Sequence, residues 1–158
     1  MKTVIIYATK HGATKKVADT IATKLSGEVA VINAKDAKSV DIETADRAIL
    51  GGSFYIGSLQ KSLKNFVNVN LDALLKKRIA LFFCAGAPDA KTFDPMLIKN
   101  IPAQILDVAL FKGNVGYEYN LEKMNFIEKF MIKKIAGLNE SVSKINNDLI
   151  EELVKAVG

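Results

Sequence analysis

Short apolar runs rich in β-branched residues alternate along this chain with longer stretches whose apolar residues recur every three or four positions. An unbroken apolar run predicts a strand buried on both faces of a parallel sheet, and the three-and-four spacing predicts an amphipathic helix. The first run, Lys2 to Ala8, precedes such a stretch from Thr14 to Leu25, and Gly27 stands where a helix commonly stops. The alternation therefore predicts a three-layer α/β domain with a parallel sheet and right-handed crossovers.

The other elements follow from the same two patterns. Further strands are predicted over Glu28 to Asn33, Arg47 to Phe54 and Ile79 to Cys84, with a fifth in Ile105 to Glu118 that is interrupted around Lys112 to Asn114. Further helices are predicted over Leu59 to Leu75 and from about Pro95 to Asn100, and a closing helix carries Val142, Ile145, Leu149, Leu153 and Val157. The polar stretch from Asp36 to Asp46 predicts a connection with at most a short helical turn.

No repeat, low-complexity tract or linker divides the 158 residues, which predicts a single domain over residues 1–158. A chain of this length buries a sizeable core without disulfides or metals. Because Cys84 is the one cysteine and His11 the one histidine, we expect neither an intrachain disulfide framework nor a metal site. No apolar run approaches the roughly 20 residues that span a bilayer, and the N-terminus lacks the pattern of an export signal. We therefore expect a cytoplasmic protein.

A segment that a five-stranded doubly wound sheet does not need precedes the closing helix. It runs from Leu121 to Gly137, and its apolar residues are predicted to share one helical face, namely Met124, Ile127, Met131 and Ile135, with Phe126 and Phe130 beside them. Two interpretations stay open at this point. The segment is either a helix that packs on the sheet or in a homodimer, or a surface for a partner or a membrane.

The first loop, TKHGAT, lies between the first strand and the first helix. In open α/β sheets ligands bind beyond the carboxyl ends of the strands, and a helix N-terminus directs free N–H groups and positive dipole at one point. Thr9 and Thr14 add hydroxyl donors, and Gly12 permits a tight turn. Thr14 is also a candidate cap of the helix. The loop has the composition and the place of a phosphate site.

Three other phosphate-related sites have signatures that this chain lacks. The sequence contains no GxxxxGK[ST], the motif of nucleoside triphosphatases, and no GxGxxG, the motif of dinucleotide sites. A phosphorelay receiver needs acidic residues at the end of the first strand, where this chain has Tyr7, Ala8 and Thr9.

Two further loops are expected at the same edge of the sheet. They are Ser53 to Ser58 (SFYIGS) after the third strand and Ala85 to Phe93 (AGAPDAKTF) after the fourth. A flat ring needs aromatic or apolar walls with backbone donors and acceptors at its rim. The residues that provide these are Phe54, Tyr55, Ile56, Gly57, Ala85 and Gly86. A phosphate loop beside such walls indicates a flavin mononucleotide (FMN) site.

The whole chain resembles the flavodoxin-fold proteins. ATKHGAT is similar to their T-x-[ST]-G-x-T phosphate loop, and GGSFYIGS and FFCAGA stand where their two flavin-flanking loops stand. The resemblance implies a flavodoxin-like doubly wound sheet with strand order 2-1-3-4-5, and FMN as cofactor. Together with the loops, it predicts cofactor contacts from Thr9, Lys10, His11, Gly12, Ala13, Thr14, Ser53, Phe54, Tyr55, Ile56, Gly57, Ala85, Gly86 and Ala87. His11 departs from the family, which more often has a hydroxyl residue there.

Within that group the chain most resembles the flavodoxin-like, menaquinone-dependent protoporphyrinogen oxidases. MKTVIIYATKHGATKKVA, the GSFYIG loop followed by FxxxV, and FIEKFMIKKIAG carry this likeness, the last being similar to an aromatic-xx-[RK]-F-M-I-K segment. The resemblance implies an oxidoreductase of heme biosynthesis that is reoxidised by a quinone. AGAPDAKTFDPMLIKNIPAQIL, where such proteins would shape substrate access, matches poorly.

Charge bears on the partners. The formal net charge is +5, whereas flavodoxins that act as electron carriers are typically acidic. An anionic substrate or a quinone, a redox partner protein and peripheral contact with the inner face of the membrane through Leu121 to Gly137 all fit this sign. The sequence shows no arginine- and aromatic-rich tract, which argues against nucleic acid. A flavodoxin-type electron carrier and a non-catalytic FMN-binding module stay open as alternatives.

No side chain is a convincing acid or base, so we expect a bound flavin to supply the chemistry. Asp89 and Lys91 are predicted to be solvated on a loop, Cys84 to be a small core residue, and Tyr55 to stack on the ring. The loop after Cys84 begins with small residues, which predicts that one face of the ring is open to a substrate.

Overall fold

The computed structural model describes residues 1–87 and 89–158. In chain order its elements are β1 (Lys2–Tyr7), α1 (Ala13–Lys24), β2 (Glu28–Asn33), α2 (Ser39–Glu43), β3 (Arg47–Tyr55), β4 (Ser58–Leu59), α3 (Lys61–Val69), α4 (Leu71–Leu74), β5 (Arg78–Cys84), α5 (Ala90–Asn100), α6 (Ala103–Val108), β6 (Phe111–Asn114), β7 (Gly116–Tyr119), a 3-10 turn (Leu121–Lys123), α7 (Phe126–Ala136), β8 (Val142–Ile145) and α8 (Asn147–Val157).

The central sheet has the order β2-β1-β3-β5-β6, and all of these strands are parallel. The two-residue β4 pairs antiparallel with the end of β3, Tyr55 opposite Ser58, and lies outside that path. Counting only the five parallel strands, the order is 2-1-3-4-5. The predicted fold class is therefore confirmed. The prediction of a single domain over residues 1–158 stays a prediction.

The core consists of two apolar layers, one on each face of the sheet. Ile6 and Leu50 belong to the layer beneath α2 to α6, whereas Ile5 and Ile49, their neighbours in the strands, belong to the layer beneath α1 and α8. Successive side chains of a strand point to opposite faces, so a strand covered on both sides must be apolar throughout. This double burial explains the unbroken apolar runs.

Arg47, the first residue of β3, is only 2% exposed. Its Nε donates to the Thr3 hydroxyl at 2.8 Å, and its two terminal nitrogens donate to the carbonyl oxygens of Ser26 at 2.9 Å and Val157 at 3.2 Å. Ser26 follows the end of α1, and Val157 is the last residue of α8. Arg47 thus joins two helix C-termini, whose carbonyl oxygens attract a cation, to the sheet.

The prediction for the fifth strand was wrong in extent. Ile105 to Val108 belong to α6, and only β6 continues the central sheet. The chain turns out of that sheet at Gly116, whose φ of 108° favours glycine, and β7 then pairs antiparallel with β8. Val142 and Ile145 accordingly lie in β8 rather than in the closing helix, which begins after Asn146 caps two N–H groups of its first turn.

Two predicted helices also have different bounds. The long helix over Leu59 to Leu75 is divided at Asn70, a buried residue whose side-chain amide donates to the Phe66 carbonyl. Helix α5 begins five residues before Pro95, because the Asp89 carboxylate caps it by accepting from the Thr92 N–H at 2.9 Å. Asp89 and Lys91, expected on a loop, therefore lie at the start of a helix.

The extra helical segment before the closing helix is confirmed as the 3-10 turn and α7. Its predicted apolar face was wrong in part. Met124 and Ile132 are buried, whereas Ile127 and Ile135, predicted to share a face with Met124, are each 67% exposed. Over residues 1–87 and 89–158, the structure has no helix whose length and hydropathy suit a membrane span.

Candidate functional site

A narrow pocket lies where β1, β3 and β5 end. The side chains and backbone that line it come from the first loop, from the ends of β3 and β5, and from β7 with the turn that follows, namely Thr9, Lys10, His11, Ala13, Ser53, Phe54, Tyr55, Cys84, Ala85, Gly86, Tyr117, Glu118, Tyr119 and Met124. The space between them is about 40 Å³. The pocket thus occupies the position that the fold favours for ligands.

The first loop leaves the N-terminus of α1 without a side-chain cap. Gly12 occupies the N-cap position with φ 97°, and its N–H donates to the Thr9 hydroxyl at 2.9 Å. Thr14, a candidate cap in the sequence, lies instead inside the first turn, because the glycine starts the helix two residues earlier. The N–H groups of this turn point toward the loop, as an anion site requires.

The Thr14 side chain is 0% exposed, and its hydroxyl has no hydrogen-bond partner among the described residues. It lies beside the Cys84 thiol, which offers at best a weak hydrogen bond. A buried hydroxyl that stays unpaired costs about 1–3 kcal/mol. The Thr14 hydroxyl is therefore a candidate to hydrogen-bond with a bound ligand.

Three basic side chains surround the same loop. A Cβ on Gly12 would lie 3.3 Å from Nζ of Lys123, so this lysine reaches over the loop from the 3-10 turn. Lys10 and His11 belong to the loop itself. With the uncapped helix, these groups make the loop attractive to an anion.

Glu128 of α7 is the acidic counterpart of these bases. Its carboxylate lies 2.6 Å from Nε2 of His11, without the alignment of a hydrogen bond, and 3.7 Å from Nζ of Lys10. Only 14% of the Glu128 side chain is exposed. The carboxylate holds α7 against the first loop. It also competes with any anion for contact with Lys10 and His11.

Tyr55 forms a second wall. Lys10 Nζ lies 3.8 Å from the centroid of the Tyr55 ring, which is a cation–π contact. The Tyr55 hydroxyl is buried and has no hydrogen-bond partner among the described residues. Burial, followed by the charge of Glu128, raises the pKa of Tyr55. The next two residues, Ile56 and Gly57, form an exposed turn outside the pocket, and Ile56 has a positive φ of 51°.

The third wall combines small residues with an aromatic ring. Asn114 fixes the loop after β5: its amide nitrogen donates to the Ala85 carbonyl at 3.0 Å and its amide oxygen accepts from the Ala85 N–H at 3.2 Å. The Tyr119 hydroxyl packs directly on Gly86, because a Cβ there would overlap it. Burial, followed by the neighbouring tyrosines, raises the pKa of Tyr119. Tyr119 packs on the loop that was predicted to leave one face of a ring open, and that prediction stays a prediction.

A model of the flavodoxin domain matches residues 4–145, most of the chain. The chain belongs to the flavodoxin domain family. A search of curated proteins finds no significant match.

Several solved structures similar to this flavodoxin domain are flavodoxins. Oxidised flavodoxin 1 from Bacillus cereus has a TM-score of 0.56 and 19% identity, over 98% of this chain and 93% of that one. A flavodoxin from the domain Archaea has 0.56 and 16%, over 99% of both chains. The flavodoxin of Streptococcus pneumonia TIGR4 has 0.55 and 17%, over 99% and 95%. At these identities the likeness shows the shared fold.

The pocket of this flavodoxin domain contains most of the predicted contacts. Those that line it are Thr9, Lys10, His11, Ala13, Ser53, Phe54, Tyr55, Ala85 and Gly86, while Ala87 lies in a neighbouring groove. Gly12, at the N-cap of α1, and Thr14, in its first turn, are not among the lining residues. Phe54 turns mainly into the core, where its ring centroid is 5.2 Å from that of Phe83. That the predicted contacts bind a cofactor stays a prediction.

Several lining residues had no place in the prediction. Tyr117 and Glu118 come from the predicted fifth strand, Met124 from the predicted extra segment, and Tyr119 from between them. The alternating tyrosines of GYEY are the one local signal, since they place two aromatic rings on the same face of a strand. The Cys84 thiol also lines the pocket, and burial raises its pKa to about 12. It therefore stays protonated and unreactive at neutral pH, in keeping with a core residue.

Proposed function

We propose that this flavodoxin domain binds FMN at the pocket and acts as a flavodoxin-type electron carrier. The unpaired, fully buried Thr14 hydroxyl at the uncapped start of α1 is the observation that carries the proposal. A terminal phosphate is the group that satisfies a hydroxyl, free helix N–H groups and nearby bases together. Membership of the flavodoxin domain family supports FMN as the molecule that brings it.

The groups around the first loop suit the phosphate end of this cofactor in their chemistry. Thr9 already supports the turn by accepting from the Gly12 N–H, and Thr14 is free to donate. Lys10, His11 and Lys123 balance the charge of the phosphate. Glu128 opposes them, so the affinity depends on how strongly its carboxylate holds these bases.

The ring end fits in chemistry but not in volume. Ligand pockets usually have about 300 Å³ or more, whereas the present space is about 40 Å³. Tyr55 and Tyr119 both line this space, so one or both must turn outward for a ring to enter. The bound flavin would supply electron transfer, while these tyrosines and Met124 would exclude water and set the polarity around it.

The cofactor can be tested directly. We expect the purified protein to be yellow, to release FMN rather than FAD on denaturation, and to quench the fluorescence of added FMN with one-to-one stoichiometry. Unquenched fluorescence at saturating protein would refute the proposal. Bound FMN that exchanges no electrons with a reductase would leave a non-catalytic binding module instead.

Quinone-coupled oxidation of protoporphyrinogen is a second candidate. The sequence FIEKFMIKKIA, which carries the likeness to those oxidases, forms an outward helix beside the pocket, and the net charge of +5 suits a substrate with propionate groups. The discriminating assay follows protoporphyrinogen oxidation by the FMN-loaded protein with a menaquinone analogue. Turnover supports the oxidase, whereas its absence, with electron exchange retained, supports the carrier.

Replacing Glu128 by glutamine is expected to tighten FMN binding by roughly fivefold, because about 1 kcal/mol of repulsion between like charges is removed. Lys10 and His11, freed from the carboxylate, could then serve the phosphate. The measurement is a fluorescence titration with FMN at neutral pH.

Glu122→Gln is the matched control, because Glu122 lies on the same segment but is exposed and contributes nothing to the pocket. We expect its affinity to stay at the wild-type value. Weaker binding by Glu128→Gln would contradict the prediction and show that the carboxylate mainly positions His11 and Lys10.

A further inference from the structure

Helix α7 exposes an apolar face of large side chains. Phe126 is 84% exposed, Ile127 67%, Phe130 58% and Ile135 67%. At 100° per residue these four lie within one half of the helix circumference, together with Met131 and Lys134. Elsewhere in the described residues the exposed large apolar side chains are spread over several elements. Such a concentration on one short helix marks an interaction surface.

The opposite side of α7 is fixed to the protein. Ile132 is 6% exposed, Glu128 contacts the first loop, and Met124, just before the helix, is buried in the pocket wall. Both ends are closed: the Asn125 side chain accepts from the Glu128 N–H at 2.8 Å, and Gly137 ends the helix with φ 68°. The exposed face is therefore held outward by a well-defined helix.

Lysines lie along one side of this apolar face and within it. Lys129, Lys133 and Lys134 lie on the helix and are exposed, and Lys134 Nζ is 6.0 Å from the centroid of the Phe130 ring. Lys123 precedes them in the 3-10 turn. Of the two acidic residues in this segment, Glu128 is turned to the pocket, which leaves Glu122 as its exposed one. Aromatic side chains with a basic border fit an interface of lipid chains and anionic headgroups.

We propose that α7 docks the protein on the surface of an anionic lipid bilayer. Phe126, Ile127 and Phe130 enter the boundary between headgroups and acyl chains, while Lys129, Lys133 and Lys134 remain among the headgroups, where their charge attracts the surface. A second copy of this chain fits less well, because the two lysine borders would repel each other across a symmetric contact. The proposal does not rest on FMN binding.

The test is sedimentation of the full chain with phosphatidylcholine vesicles, with and without phosphatidylglycerol. We expect binding to the anionic vesicles that weakens at high salt, and little binding to the neutral ones. Phe126→Ser with Phe130→Ser should lower the partition coefficient by roughly tenfold or more. Lys129→Gln with Lys133→Gln should lower it severalfold on the anionic vesicles.

Val69→Ser with Ile98→Ser is the matched control, since these side chains are 78% and 70% exposed but lie on α3 and α5. The control should bind vesicles as the wild type does. Unchanged urea midpoints establish that every variant is folded. Failure to bind anionic vesicles, or an equal loss in the control, overturns the proposal. The proposal is also overturned if the wild type does not bind vesicles but forms a dimer that Phe126→Ser with Phe130→Ser dissociates. That result would assign the face to a second copy of this chain.

Discussion

Replacing Thr14 by valine is expected to stabilise the protein without cofactor and to weaken its binding of FMN. The hydroxyl is fully buried and unpaired, and valine has nearly the same shape and the same branching at Cβ. An unpaired buried hydroxyl costs about 1–3 kcal/mol of stability. We expect its removal to recover about 1 kcal/mol, because the Cys84 thiol already offers the hydroxyl a weak hydrogen bond. The loss of a hydrogen bond to a charged phosphate costs about 1.5–3 kcal/mol, or roughly 10- to 100-fold in affinity.

The two effects are measured separately. Urea unfolding of the FMN-free protein gives the free energy of unfolding, and a fluorescence titration gives the affinity. Thr23→Val is the control, because the Thr23 hydroxyl is at the other end of α1 and donates to the Thr20 carbonyl. A purely structural residue would not be expected to give a variant that is more stable without cofactor and yet binds FMN more weakly. An unchanged affinity would remove Thr14 from the phosphate site and, with it, the main support for FMN.

Replacing Arg47 by methionine is expected to lower the free energy of unfolding by about 3–5 kcal/mol, because three acceptors lose their hydrogen-bond donor at roughly 1–3 kcal/mol each. Methionine fills similar volume but leaves the carbonyl oxygens of Ser26 and Val157 and the Thr3 hydroxyl without their donors. Each buried polar group left unpaired adds to the loss. The folded variant should bind FMN normally, because Arg47 begins β3 and the pocket lies at the other end of that strand.

Arg78→Met is the matched control for this substitution. Arg78 begins the neighbouring strand and donates to the Ala156 carbonyl at 3.4 Å, but it is exposed. Its replacement should cost no more than about 1 kcal/mol, as is usual for surface positions. The comparison is made by urea unfolding monitored through tyrosine fluorescence. Similar losses for both variants would show that burial of Arg47 adds nothing to its contribution.

The sequence predicted the parallel sheet because each buried strand is apolar on both faces, which is a local and unambiguous pattern. The loop at Gly12 was equally accessible, since a glycine before a helix and flanking threonines are neighbours in the chain, although Thr14, a candidate cap, lies inside the first turn. The single-helix interpretation of Leu59 to Leu75 failed because the break depends on the buried Asn70. Local periodicity carries no information about which polar residue will be buried.

The pocket walls show where sequence reasoning ends. Contacts of His11 with Glu128, and of Lys16 with Glu118 at 2.7 Å, join residues more than a hundred positions apart. Helix α7 illustrates a second difficulty. The spacing of its apolar residues indicated an amphipathic helix, but it could not tell which side meets the protein, because few apolar residues of the segment, Ile132 and Met124 among them, are buried.

The pairing of Tyr119 with Val142 closes β7 against β8. Antiparallel partners have Cα atoms about 5 Å apart, so residues 120–141 leave the fold and return to it at almost the same point. They form the tip of a hairpin enlarged to hold α7. A two-residue Asn-Gly turn could span that gap. Residues 120–141 are therefore an insertion in the β7–β8 hairpin, and this insertion brings Lys123, Met124 and Glu128 to the pocket and the first loop.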